Sequence, residues 1–366
     1  MFGIILISVI SLLHLYVFGR VATIAWVRHN LPLKYLLAVG LLLWGFVVLS
    51  RVLHDQHLGG LSAVIEFIGM FWMGSLFLLF ACLLTVDVFT IFGFLFPRLA
   101  PVLRGVALVA GLAMSLLALV QGLRPPVVRD YTVPMAGLPP QLSGTKIVAM
   151  TDMHLGTQLG KGWLAKRVRQ VEALQPDLVV LVGDILDGHD GALSKLEPIL
   201  RRLHAPLGVW AVLGNHEFYR GADQCTRFLE DSGITVLRNR WVAVQPGLVL
   251  AGVDDLTATR HLKVGGDPVQ KALTAKPPGA TVLLSHTPLL TDKAAEMGVG
   301  LMLSGHTHNG QIWPFNYLVR RFYPMIYGAY PIGDMTAIVC RGTGTWGPRM
   351  RLWHPGEIIR VTLDTK

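Results

Sequence analysis

The sequence predicts an α/β domain preceded by a region of four transmembrane helices. Three observations carry this. Almost all of the apolar excess lies before about residue 123, in stretches long enough to cross a bilayer. Beyond it, short β-branched apolar runs alternate with helical patterns. The clusters that close those runs draw their metal-binding side chains from Asp, Asn and His alone.

Composition supports the first observation. The chain has 366 residues, 52% hydrophobic and 15% charged, with a mean hydropathy of +0.51. A soluble globule is rarely so apolar. The formal charge of +9 suits nucleic acid, anionic lipid or an anionic substrate. No dense Lys/Arg block with interleaved aromatics is present, so nucleic acid is the weakest of the three and lipid or phosphate fits better. Of the cysteines Cys82, Cys225 and Cys340, none forms a CxxC pair. Neither a zinc-thiolate site nor a disulfide framework is supported, and a single Cys225–Cys340 bridge stays open.

The four expected spans are Phe2–Gly19, Leu36–Ser50, Phe67–Phe96 and Gly105–Leu123. The first lacks the basic start of a signal peptide and is followed by further spans, so it reads as a retained helix. The second is short and can borrow Leu31–Leu33. The third is too long for a straight crossing, so it tilts or ends in the interface. Asp87, near its far end, reads as an aspartate at headgroup depth rather than a proton relay. His14 reads as a packed polar side chain, and the aromatic run Phe67–Trp72 as lipid contact or interface belt. Loops one and three carry Arg20, Arg28, Lys34, Arg98 and Arg104, against Arg51, Arg124 and Arg129 on the other side. The positive-inside rule then places the two loops in the cytoplasm. With an even number of spans, the remainder of the chain lies outside, on a multi-pass protein of the inner or plasma membrane.

The boundary follows from composition. Residues 1–123 form the transmembrane region. Residues 124–145, rich in Pro and Gly, form a linker with one extended segment, Val127–Val133. Residues 146–366 form the α/β domain. Its expected strands are Lys146–Met150, Leu178–Val182, Val209–Leu213, Leu248–Val253, Thr281–Ser285 and Leu301–Ser304, with helical patterns at Trp163–Leu174 and Leu193–Leu203. Five of these strands end in polar clusters: "TDMHLG" (Asp152, His154), "VGDILDG" (Asp184), "LGNHEFY" (Asn215, His216), "SHTP" (His286) and "SGHTHNG" (His306, His308). Asp152 and Asp184 are 32 residues apart, and Asp184 and Asn215 are 31 apart, about one βαβ unit. Open α/β sheets bind ligands at the carboxyl ends of their strands.

Each cluster alone is ordinary turn or cap chemistry. Five in succession are not. Oxygen and imidazole donors without thiolate suit Mn, Fe or Zn. There are more donors than one tetrahedral metal needs, and about enough for two ions sharing a carboxylate, a known device for displacement at phosphorus. Along an extended strand end, alternate residues point the same way, so His306 and His308 would enter one cleft while Thr307 faces away. Gly305 and Gly310 would let the backbone bend there.

In order, "DMH", "GD", "GNHE", "SH" and "GHTH" resemble the calcineurin-like metallophosphoesterase superfamily, whose pattern is D-x-H, GD, GNH[ED], H, GHxH. The resemblance covers about Thr145–Leu363. The segments "GQIWPF" and "TGTWGPRMRLWHPGEIIRVTL" look like those of its membrane-associated, largely bacterial subgroup. The resemblance implies a sandwich of mixed β-sheets flanked by helices. It also implies two divalent ions: one on Asp152, His154 and His308, the other on Asn215, His286 and His306, with Asp184 bridging. His216 is then no ligand but faces substrate and protonates the leaving oxygen, oriented by Asp187 or Glu217. Glu217 reads equally as a structural cap, and Arg349 and Arg351 as surface charge.

The function that follows is an integral-membrane, metal-dependent phosphoesterase acting on a phosphomonoester, phosphodiester or pyrophosphate bond. A domain tethered to a bilayer meets lipids at high local concentration, which favours a lipid-linked substrate and membrane lipids as partners. The alternative is a membrane scaffold or transporter with a metal-binding, weakly catalytic soluble domain. The complete ligand set speaks against it, as does the lack of several paired intramembrane charges or broken-helix signals. A nuclease of the soluble type is weakened by the anchor. Nothing in the sequence fixes the oligomeric state.

Overall fold

The computed structural model describes residues 2–52, 60–187, 193–262 and 266–366. The chain divides into two compact units.

The first unit is helical. It holds α1 (Phe2–Val21), α2 (Ala25–Asn30), α3 (Leu33–Val52), α4 (Gly60–Phe89) and α5 (Ala100–Leu123). Helices α3, α4 and α5 are long and apolar enough to cross a membrane, and α1 carries the shorter apolar stretch Ile5–Val21. The third expected span is displaced: α4 starts seven residues before Phe67 and stops at Phe89. Left-handed backbone at Ile91 and Phe92 (φ 47° and 56°) ends it. Helix α4 is central, packing against α1, α3 and α5.

Asp87 adds to the sequence reading. Whatever its depth, it is fully buried among the helices rather than open to the surface. Arg104 donates to its Oδ1 from Nε (2.9 Å) and Nη2 (2.7 Å), Arg20 Nε lies 2.6 Å from Oδ2, and the Tyr16 hydroxyl donates to Oδ2 at 2.5 Å. A carboxylate in an apolar bundle is costly alone, and these partners satisfy it while joining α1, α4 and α5. His14 is a packed polar side chain as read, stacked on Phe18 with ring centroids 4.5 Å apart. Trp72, expected to face lipid, instead points its Nε1 at His14 Nδ1 (3.3 Å).

Two short segments from far along the chain, Ile312–Pro314 and Gly347–Trp353, belong to this helical unit. Ile312, Met350 and Leu352 pack with Leu78 and Ala118, and Arg351 N donates to the Ala118 carbonyl (2.8 Å). Arg351 is therefore buried and Arg349 half-buried, not the surface charges expected.

The second unit is a two-sheet sandwich. Its strands are β1 (Val127–Met135), β2 (Lys146–Met150), β3 (Leu178–Val182), β4 (Val209–Val212), β5 (Thr235–Val236), β6 (Arg240–Gln245), β7 (Leu248–Gly252), β8 (Ala280–Leu284), β9 (Leu301–Ser304), β10 (Gly328–Ile332), β11 (Met335–Val339) and β12 (Glu357–Thr365). One sheet runs β1-β12-β2-β3-β4-β5 and the other β10-β11-β9-β8-β7-β6. Both are mixed: β2, β3 and β4 are parallel neighbours, as are β7, β8 and β9, while β12 runs antiparallel to β2 and β6 to β7.

Alternation places the core. Ile147 and Ala149 of β2 face the same layer as Leu250, Val282 and Leu303 of the other sheet. Val148 and Met150 face outward onto α6 (Lys161–Glu172) through Leu164 and Val168. A strand covered on both faces needs no polar alternation, which is why β2, β3, β8 and β9 read as continuous apolar runs. Within the pattern Leu193–Leu203, Leu193 is helical and a separate short helix spans Glu197–Leu200. Much of the expected linker is β1, paired in parallel with β12. All three cysteines are free, so the open Cys225–Cys340 bridge does not form. Cys225 packs outside the first sheet and Cys340 between the sheets.

Candidate metal centre

The parallel strands deliver their carboxyl ends to one place. Asp152 and His154 follow β2, Asp184 follows β3, Asn215 follows β4, His286 follows β8, and His306 and His308 follow β9. Ligand atoms of Asp152, His154 and His308 lie within 4.8 Å of one another. So do those of Asp184, His286 and His306, and those of His154, Asp184 and His216. Asp184 is common to two of these groups.

The backbone there is strained. Asp152, His154, Asp184, His306 and His308 all have left-handed φ, between 46° and 70°. Non-glycine residues avoid this region at a cost on the order of 1–3 kcal/mol each, and such outliers gather at functional sites. This overturns the expected geometry of the histidine pair. His306 and His308 are not on an extended strand end: β9 stops at Ser304 and left-handed turns aim the two rings at different groups. Thr307 does face away, donating to the Ile326 carbonyl (2.7 Å). The glycines before the donors make room. A Cβ on Gly305 would lie 2.3 Å from Asp152 Oδ2, and one on Gly214 2.2 Å from Asp184 Oδ1.

The hydrogen bonds show that the donors suit cations. His286 Nδ1 donates to the Val182 carbonyl (2.9 Å), so a neutral His286 presents its Nε2 lone pair. That nitrogen faces Asp184 Oδ2 at 3.1 Å and His306 Nδ1 at 3.3 Å. A lone pair set against a carboxylate oxygen is repulsive unless a positive charge lies between them. Burial opposes charge on His286, but the Asp184 and Asp152 carboxylates outweigh it and hold its pKa well above the ordinary value. Burial and the neighbouring His286 push His306 down to about 4, leaving it a neutral donor. On the other side, Asp187 Oδ2 accepts from His154 Nδ1 (2.8 Å), which turns the His154 Nε2 lone pair toward His308 Nε2, 3.1 Å away. Asn215 Oδ1 is buried and accepts no hydrogen bond. An orphaned buried carbonyl oxygen is what a ligating Asn looks like without its ion.

His216, grouped above with His154 and Asp184, is engaged differently from the other histidines. Its Nδ1 donates to Asp187 Oδ1 at 2.6 Å, and its Nε2 is 3.9 Å from Asp184 Oδ2. Burial disfavours its charged form, but Asp184 and Asp187 prevail and its pKa is pushed up to about 9. Asp187 is thus the partner of His216, and its other oxygen serves His154. Burial would raise the Asp187 pKa, but the two histidines hold it well below the carboxylate range. Glu217 resolves as the structural cap. Fully buried, it accepts from the backbone N–H of Asp184, Ile185, Leu186 and Gly214 at 2.7–3.0 Å, fixing the two loops that present Asp184 and Asn215.

Three residues at the site escaped the sequence reading. Tyr323 places its hydroxyl 2.7 Å from His306 Nε2, steadying a candidate ligand through its other ring nitrogen. Trp346 and Tyr219 flank the His216 ring, with centroids 6.2 and 6.1 Å away. Trp346 is held by Gln311, which donates from Nε2 to the Trp346 carbonyl (3.0 Å) and accepts from its N–H (2.9 Å). The signals were that Gln311 and Trp346 fall in the two segments resembling the membrane-associated subgroup and that Tyr219 closes the cluster "LGNHEFY".

Residues 145–310 match the family described as Calcineurin-like phosphoesterase. An Aquifex aeolicus protein named as an uncharacterized metallophosphoesterase is 36% identical over 244 residues, covering 65% of this chain and 92% of its own. The chain belongs to the calcineurin-like metallophosphoesterase family. Two other metallophosphoesterases, each named "Transmembrane protein with metallophosphoesterase domain", are similar over a longer stretch. The one from Bos taurus is 34% identical over 69% of this chain, and the one from Danio rerio 33% identical over 70%. The chain spans 60% and 62% of their lengths.

Proposed function

We propose that this metallophosphoesterase is a membrane-anchored hydrolase that uses two divalent ions, of Mn, Fe or Zn, to cleave a phosphomonoester, phosphodiester or pyrophosphate bond. The observation that carries the reading is the paired donor set around Asp184. Asp152, His154 and His308 would hold one ion, Asn215, His286 and His306 the other, and Asp184 would serve both. Bound there, divalent ions supply Lewis acidity, lowering the pKa of water and neutralising phosphate oxygens. Asp187 keeps the His216 proton on Nδ1 and the ring in place, so that Nε2 is the atom that hands a proton to the leaving oxygen. Glu217 keeps the Asp184 and Asn215 loops in register. The four apolar helices anchor the enzyme as a multi-pass protein, and its substrate is a phosphorylated, lipid-linked molecule.

The test is hydrolysis of an aryl phosphodiester by the purified full chain with Mn²⁺. Turnover should vanish with chelator and return with added metal. Metal bound at full occupancy without turnover would leave only the scaffold or transporter reading.

For sidedness we propose that the catalytic domain lies outside the cytoplasm, from the Lys/Arg bias of loops one and three. Alkaline phosphatase fused after Lys366 should then be active in cells. A β-galactosidase fusion that is active instead would put the domain in the cytoplasm.

A further inference from the structure

The segment after the last histidine motif carries an apolar and basic surface that catalysis does not use. Phe315 (40% exposed), Tyr317 (64%), Leu318 (52%) and Phe322 (69%) are presented outward from the short helix Phe315–Val319 and the turn beyond it. Arg320 and Arg321 are exposed beside them. Between Glu296 and Asp334, these two are the only Lys, Arg, Asp or Glu side chains in the chain. Four large apolar side chains within eight residues are no scatter of single exposed hydrophobes, and a patch of this kind marks an interaction site. Its chemistry is specific. Aromatic rings settle at the level of lipid headgroups, and arginines lay their stems along apolar surface while the guanidinium reaches phosphate. A basic patch on a segment that carries no acidic residue of its own is complementary to an anionic leaflet. The apolar helices of the same chain keep such a leaflet within reach of the domain.

The segment is also tied to the site. Asn316 is buried beneath it, and Tyr323, the next residue after Phe322, bonds His306 Nε2 at 2.7 Å. We propose that residues 315–322 dock on the surface of an anionic phospholipid bilayer, so that the metal centre works on phosphate groups presented at that surface. The docking surface stands on the exposed side chains, while its catalytic meaning rests on the phosphoesterase reading above.

The experiment uses the full chain in nanodiscs of phosphatidylcholine and phosphatidylglycerol in equal parts. The photoreactive residue p-benzoylphenylalanine replaces Tyr317 or Phe322 in turn, conserving an aromatic ring. A control carries it at Glu230, exposed on the helix Ala222–Asp231. A second control carries it at Leu116 in α5. After irradiation, mass spectrometry should find phospholipid adducts at 317, 322 and 116 but not at 230. Replacing the anionic lipid with phosphatidylcholine, or making R320A with R321A, should lower the yield at 317 and 322 about tenfold and leave 116 unchanged. Adducts at 116 alone would overturn the proposal. So would cross-links from 317 or 322 to a protein in native membranes with no lipid adduct. Hydrolysis of a soluble aryl phosphodiester is followed in the same samples. Its loss would count against the phosphoesterase reading, whereas missing adducts with hydrolysis intact count against docking alone.

Discussion

Asp184→Asn is expected to empty both metal positions and to cost more activity than any other ligand change. Asp184 is the one carboxylate shared between the donor groups, with Oδ2 3.1 Å from His286 Nε2 and 3.9 Å from His216 Nε2. Asparagine keeps the shape, and its carbonyl can still accept the His216 N–H that Asp184 Oδ1 takes at 2.9 Å, so the loop should survive. What it removes is the negative charge that sets two cations side by side. Without it, no carboxylate shared by both ions offsets their mutual repulsion. Elemental analysis of the purified variant should show both positions depleted, while circular dichroism reports an intact fold. One ion retained at normal affinity would remove the bridging role.

His216→Ala is expected to lower turnover by roughly 10²–10⁴ for an alkyl phosphodiester, with metal content near two ions per chain. The ring donates from Nδ1 to Asp187 Oδ1, and neither proposed ion set includes it. The effect should depend on the leaving group. An aryl leaving group departs as a stable anion and needs little protonation, whereas an alkoxide needs the proton from His216 Nε2. The loss should therefore shrink as the leaving group becomes more acidic. Because this acid works in its protonated form, activity of the parent enzyme should fall as pH rises through the His216 pKa, and that alkaline limb should be absent from the variant. An equal loss for aryl and alkyl substrates, or a missing ion, would show His216 in a different role.

Much of the site was legible because its donors sit at strand ends, and a strand end is a local feature. A buried strand announces itself by five β-branched or apolar residues. The first polar residues after it must then be where the sheet opens. That is why Asp152, His154, Asp184, Asn215, His286, His306 and His308 could be picked out as candidate donors from spacing and residue type, although their grouping into two sets came from a family resemblance. The apolar helices were legible for an equally local reason, since a bilayer demands about 20 apolar residues in a row.

Tertiary structure alone decided the rest, because those outcomes depend on partners remote in the chain. Asp87 showed no partner in the sequence; α1 and α5 bring Arg20 and Arg104 to it. Glu217 was balanced between two roles until the β3 loop set backbone N–H groups against both of its oxygens. Tyr323 and the Gln311–Trp346 pair carried no spacing signal, since their contacts exist only once loops after different strands meet. Left-handed backbone, as at His306 and His308, is a minority conformation even for histidine, so no reading of propensity would place it there. The sequence by itself determined which side chains could offer donors to a cation and that the apolar segments precede the α/β domain. The tertiary structure decided which charges are buried together, because the energy of a charge depends on neighbours that the chain brings from elsewhere.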